Sequence, residues 1–130
     1  MTELDNFTLG YITAALWSTT DESTPQGGEF LDANYSVEDI APETVKSMKA
    51  DCAKFQADNA AALATAYTLY PRSNDITPEA HAGCDFWLNR NGYGAGFCDE
   101  KGECFEALDK ATRQYKEVHL YVGDDGKIYA

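Results

Sequence analysis

The chain has 130 residues, 44% of them hydrophobic, with 8 Tyr, 6 Phe and 2 Trp, and a formal net charge of −12. This length suits one domain spanning 1–130, and the apolar and aromatic content excludes a disordered chain. The charge disfavours direct binding to nucleic acid, whose phosphates an acidic surface repels.

In chain order, Phe7 to Trp17 is apolar at 7, 11 and 14 and again at 9, 12 and 16, a wide stripe that predicts a well-buried first helix starting near Asn6 or Thr8 and fading at Ser18. Residues 19–35 are rich in Gly, Pro and polar side chains and read as a long loop, with Phe30, Leu31 and Tyr35 expected to pin it to the core. Ser36 to Asp39 has the form of a capping signal, and Pro42 suits the first position of a helix. Val45, Met48, Cys52, Phe55, Asn59, Ala62, Ala66 and Leu69 then recur at helical spacing, which predicts one long central helix ended by Pro71.

Thr77-Pro78-Glu79 opens a helix over roughly 78–90, and Asn91-Gly92 closes it. Cys104, Leu108, Ala111 and Tyr115 mark a last helix over roughly 103–116. Val118 to Val122 and Lys127 to Tyr129 flank Asp125-Gly126, the pattern of a β-hairpin. The expected fold is mainly α: about four helices, one long and central, with a C-terminal two-stranded β-hairpin.

Chemistry concentrates in HAGCDFWLNRNGYGAGFCDEKGEC, residues 81–104. His81, Cys84, Cys98 and Cys104 give the spacing H-x2-C-x13-C-x5-C, but structural zinc sites present close cysteine pairs and this chain has no C-x-x-C. Cys52 and Cys104 lie on apolar stripes, where a reduced thiol acts as a small hydrophobe. No metal and no cofactor are expected. The glycines of Asn91-Gly-Tyr-Gly-Ala-Gly-Phe97 follow a helix and not a strand, so neither a dinucleotide fingerprint nor a P-loop fits. Their reading is a tight chain reversal.

No nucleophile elbow, H-E-x-x-H motif or calcium loop is present, and His81 and His119 fall in unrelated elements. No catalytic residue is therefore named, and an enzyme is the less favoured class. Asp85, Trp87, Arg90, Asn91, Tyr93 and Asp99 remain as a ligand site or a structural network. Positions 87, 90 and 91 share a helix face, and Arg90 is expected to pair with Asp85 or Asp99 and so lock the glycine loop.

The charge is unevenly placed. Residues 1–45 hold nine acidic groups and no Lys or Arg. Glu29, Asp32, Glu38 and Asp39 lie in or beside the long loop, where they are candidates for binding a basic partner surface. No apolar run approaches the roughly 18 residues of a membrane span. The N-terminus lacks the basic and apolar regions of a signal peptide, so a cytoplasmic protein without a membrane partner is expected.

Four segments, FTLGYITAALW, LDANYSVEDIAPETV, DFWLNRNGYGAGF and LYVGDDGKIY, together resemble an uncharacterised family of small phage and prophage proteins with a DFWL-RNG-GAGF core. The resemblance covers nearly the whole chain and implies viral origin and expression in host cytoplasm. It transfers no catalytic residues. Members often have His where Cys84 and Tyr93 stand and Trp where Cys98 stands, which weakens a metal or general-base role at those positions. The functional expectation is an acidic accessory protein that binds and modulates a host protein, for example by occupying the nucleic-acid groove of a defence nuclease. The alternative is a small-ligand-binding protein or enzyme using Trp87, Arg90 and Asn91.

Overall fold

A computed structural model describes residues 4–21, 28–71 and 73–130. Within them the chain forms helices α1 (Asn6–Ser18), α2 (Pro42–Asp58), α3 (Ala60–Leu69), α4 (Pro78–Arg90) and α5 (Glu103–Thr112). Strands β1 (Tyr121–Val122) and β2 (Ile128–Tyr129) close the chain as an antiparallel hairpin, pairing Tyr121 with Tyr129 and Val122 with Ile128. The fold is mainly α, with the C-terminal hairpin that the sequence predicts.

Local chemistry accounts for most boundaries. Asp5 caps α1 by accepting from the Thr8 amide at 2.8 Å, and Thr77 caps α4 by accepting from the Ala80 amide at 3.1 Å. Ser36 and Asp39 form the expected capping box around the short 3-10 turn Val37–Asp39.

The long central helix is in fact two. Asn59 leaves helical geometry (φ −125°, ψ 26°), and both its amide and its side-chain nitrogen bond the Phe55 carbonyl. An Asn side chain that competes for backbone partners ends a helix without disturbing the apolar periodicity on either side. The pattern therefore runs straight through the break.

The loop also departs from expectation. Leu31 is buried and Tyr35 packs against the core, whereas Phe30 is exposed. Thr20 bridges Phe30 in antiparallel fashion, with Asp21 donating its amide to the Glu29 carbonyl and Leu31 to the Thr19 carbonyl. Glu22 and the rest of 22–27 lie outside the described residues.

The core is built on α1 and α4. Phe7, Tyr11, Phe86 and Trp87 interleave between them, and Phe55 of α2 stacks on Phe86 with centroids 4.2 Å apart. Phe97 and Tyr115 extend this aromatic stack from the segments flanking α5. α1 and α4 meet through glycine on both sides. A Cβ at Gly10 would overlap the Ala80 carbonyl, and one at Gly83 would overlap the Phe7 carbonyl.

The hairpin is tied in at its second strand. Ile128 is fully buried, pairs in parallel with Ile40, and accepts from the Ala41 amide at 2.9 Å at the start of α2. Two residues of each strand form the ladder, and the Val118 amide, expected in the first strand, is instead taken by the Asn91 side chain at 2.8 Å. Ile128→Ala should lower unfolding free energy by about 2–5 kcal/mol, the range for truncating a buried aliphatic side chain. Denaturant titration checks this, and a change below about 0.5 kcal/mol would mean that the hairpin is only appended to the helices.

Candidate functional site

α4 carries two different polar constellations on opposite sides. The first contains Trp87, Arg90 and Asn91. Trp87 is buried and donates its indole N–H to the Ser18 hydroxyl at 2.8 Å. Asn91 donates to the Trp87 carbonyl and accepts from the Val118 amide.

Arg90 is buried against the edge-to-face pair Phe86 and Tyr115, its guanidinium carbon 5.5 and 5.3 Å from their centroids. It donates to the Lys116 carbonyl through Nε (2.9 Å) and Nη2 (2.6 Å), and through Nη1 to the Tyr11 hydroxyl (3.1 Å) and Asp51 (2.9 Å). Its carboxylate partner is Asp51, not Asp85 or Asp99. All these bonds run inside the fold, and they join α1, α2 and the chain leaving α5. The glycine loop is instead held by Asn89, which accepts from the Cys98 amide and donates to Asp109, both at 2.9 Å.

The second constellation contains Asp85. Its side chain is 8% exposed, and Oδ2 accepts from the Tyr70 hydroxyl at 2.8 Å. His81, one turn earlier on the same helix, directs Nε2 at Asp85 Oδ1 (3.9 Å) and at Glu100 Oε2 (3.3 Å). The His81 ring is stacked on Tyr70 with centroids 4.0 Å apart, so its direction is set. One imidazole nitrogen and two carboxylate oxygens lie within 4.8 Å of one another.

Glu100 reaches this point because Gly96 allows the loop onto α4. Gly96 sits at φ 109°, and a Cβ there would stand 2.5 Å from the Asp85 carbonyl oxygen. The 3-10 turn Phe97–Asp99 follows and delivers Glu100 beside His81.

Electrostatics separate the two constellations. Arg90 has a carboxylate partner. The described residues give Asp85 no Lys or Arg, only His81 among its ion-pair partners. Burial pushes the Asp85 carboxyl up to about 8, reinforced by the neighbouring Glu100 and Asp99 carboxylates and opposed by the Tyr70 hydrogen bond. Burial also lowers the pKa of His81, so its imidazole is neutral at neutral pH, and raises that of Tyr70.

Of the six residues singled out from sequence, Trp87, Arg90 and Asn91 thus group together, and Asp85 stands apart from them. Asp99 is exposed and acts on Asp85 through its charge. Tyr93 is exposed, with its hydroxyl 3.5 Å from the Ser18 carbonyl. Spacing missed Tyr70 and Glu100, because only loop closure brings them in. The His81–Asp85 interval of one helical turn was a readable signal.

All four cysteines are free, and none joins the His81 cluster. Cys84 donates its thiol to the Gly10 carbonyl at 3.2 Å, and burial pushes its pKa up to about 11. The acidic candidates also divide. Glu29 and Asp32 are exposed, with Glu29 accepting from Asn34 at 3.0 Å. Glu38 lines an apolar groove of about 540 Å³ with Lys46 and Lys49, and Asp39 is occupied in capping Ser36 at 2.8 Å.

Comparison with family models, curated proteins and solved structures gives no match to this chain. Fold and site together define a mainly helical protein with a histidine–carboxylate cluster where the glycine loop closes on α4. Among the described residues no helix is long and apolar enough to cross a membrane.

Two outcomes follow. Arg90→Ala should lower stability by about 1–3 kcal/mol, because it strands the Lys116 carbonyl and the Tyr11 hydroxyl. An unchanged melting temperature would contradict this. In chelator, Asp85→Asn should change the pH profile of stability. A folded pKa of about 8 lies above the unfolded value of about 4, so this group's contribution is complete below about pH 4 and is lost as pH rises toward about 8. The Asn variant keeps an acceptor for Tyr70 without that loss. It should equal or exceed wild type by about 1–3 kcal/mol near pH 8 and converge with it in acid. Parallel profiles would show that Asp85 carries no such strain.

Proposed function

We propose that the protein is a non-enzymatic binding module that docks on a basic surface of a partner protein. The observation carrying this reading is one surface at the C-terminal end of α1. There Trp17, Phe30 and Tyr93 are 41%, 50% and 50% exposed. The Thr20–Phe30 bridge and the Tyr93 hydroxyl at the Ser18 carbonyl bring Phe30 and Tyr93 toward the end of the helix that carries Trp17, and Glu29 and Asp32 flank Phe30 in the chain. Exposed aromatics rimmed by charge are the composition of a protein-binding surface, in which large rings supply most of the binding energy and rim charges steer association.

The sign of the charge selects the partner. A chain of net charge −12, with no Lys or Arg before Lys46, is attracted to a cationic surface and repelled by nucleic acid. The groove of a nucleic-acid enzyme is such a surface. The resemblance to phage and prophage proteins supports a host protein as its owner, bound in the host cytoplasm. Asp39 contributes less than Glu29 and Asp32 in this reading, since its carboxylate already holds a turn.

The test is affinity capture from host lysate with three baits: wild type, Trp17→Ala/Phe30→Ala, and Glu29→Lys/Asp32→Lys. A nucleic-acid-binding protein should be retained by wild type only, and its retention should fall with added salt. The aromatic pair should weaken binding by about 2 kcal/mol or more, while both variants stay within about 1 kcal/mol of wild-type stability. Equal capture by all three baits would reject this surface.

A further inference from the structure

We infer that His81, Asp85 and Glu100 form a binding site for a divalent transition-metal cation, with Tyr70 positioning the buried carboxylate. Three features carry the assignment. The first is convergence. One ligand atom each from His81, Asp85 and Glu100 lies within 4.8 Å of the others, contributed by two turns of α4 and by the chain after the glycine loop. Ligands at about 2.0–2.2 Å from a metal stand roughly 3.0–3.5 Å apart. The His81 nitrogen stands 3.3 Å from Glu100 and 3.9 Å from Asp85, so the first pair already has that spacing and the second is within about 1 Å of it.

The second feature is the division of labour between the Asp85 oxygens. Oδ2 is held by the Tyr70 hydroxyl, while Oδ1 faces His81 Nε2 across 3.9 Å and the Asp85 carboxyl shares a hydrogen bond with Glu100. An outer hydroxyl that fixes one oxygen and leaves the other for the ion is the usual support of a metal-binding carboxylate. The Asp85 side chain is more than nine-tenths buried and lies against His81 and Glu100.

The third is charge and access. Asp85, Glu100 and the nearby Asp99 bring three carboxyl groups together, and no Lys or Arg among the described residues pairs with Asp85 or Glu100; a bound cation would take the place of the Asp85 proton. His81 and Glu100 are 30% and 26% exposed, so an ion can enter from their side while Asp85 lies behind. The imidazole nitrogen selects the metal class: Zn²⁺, Co²⁺, Mn²⁺ or Fe²⁺ in preference to Ca²⁺ or Mg²⁺, which take oxygen ligands. Three protein ligands leave coordination positions for water or a partner's side chain. Free thiols play no part, which distinguishes the site from the cysteine set suggested by spacing.

The test uses the full chain stripped with chelator and titrated with Co²⁺ and then Zn²⁺, followed by visible absorption and calorimetry. One Co²⁺ should bind per chain and be displaced by Zn²⁺. Glu100→Gln and His81→Ala should each weaken binding by at least about 10-fold, and Tyr70→Phe by about 10-fold at unchanged stoichiometry. Wild-type NMR gives a readout independent of any variant's folding. Co²⁺ should shift the imidazole resonances of His81 and leave those of His119, which is exposed beside Glu117, where they are. Absence of stoichiometric binding, equal affinity in the His81 and Glu100 variants, or a response at His119 alone would overturn the assignment.

Discussion

Helices α1 and α4 approach more closely than side chains on both would permit, because Gly10 faces the Ala80 carbonyl and Gly83 faces the Phe7 and Tyr11 backbone. Two glycines opposed in this way bring helix backbones into direct contact. They thereby fix where α4 stands and how it is rotated. The Cys84 thiol bonds the Gly10 carbonyl at the same crossing, and Phe7, Tyr11, Phe86 and Trp87 fill the space beside it. Other contacts are placed relative to this crossing. α2 adds Phe55 against Phe86, and α3 presents Tyr70 to Asp85.

With the rotation of α4 set, its polar residues fall on two sides with opposite electrostatic outcomes. Arg90 is a buried cation with a carboxylate, a hydroxyl and a carbonyl arranged around it and two aromatic rings beside it. Such a group is costly to remove and has little capacity left for a ligand. Asp85 is a buried carboxyl facing other carboxylates and a neutral imidazole, and its raised pKa expresses that crowding. A proton relieves the crowding, and so does a cation. One helix therefore holds the fold together on one side and, among the described residues, presents a carboxyl cluster without a Lys or Arg partner on the other.

Much of the fold was legible because the apolar periodicity of α1, α4 and α5 is local and their ends carry recognisable signals: Thr77 and Pro78 before α4, Asn91 and Gly92 after it. The break at Asn59 was hidden, since it falls on the apolar stripe and changes direction through a side-chain bond that spacing does not encode. The site was half legible. Arg90 stood out as a structural residue, yet its partner Asp51 lies 39 positions away on another helix. His81 and Asp85 share a helix face, but Glu100 joins them through a loop geometry that only Gly96 allows. Phe30 was expected to pin the loop to the core, yet it is exposed, as are Trp17 and Tyr93.

The role of the α1–α4 crossing is open to a test in which two effects have opposite signs. Placing alanine at Gly83 improves helix propensity by about 1 kcal/mol, so a helix without a close neighbour there would gain stability. At the observed crossing the new methyl group would overlap the Phe7 carbonyl and push the helices apart. Denaturant unfolding of Gly83→Ala should therefore show a loss of more than about 2 kcal/mol, or a chain that does not fold. A variant as stable as wild type, or more stable, would contradict the account.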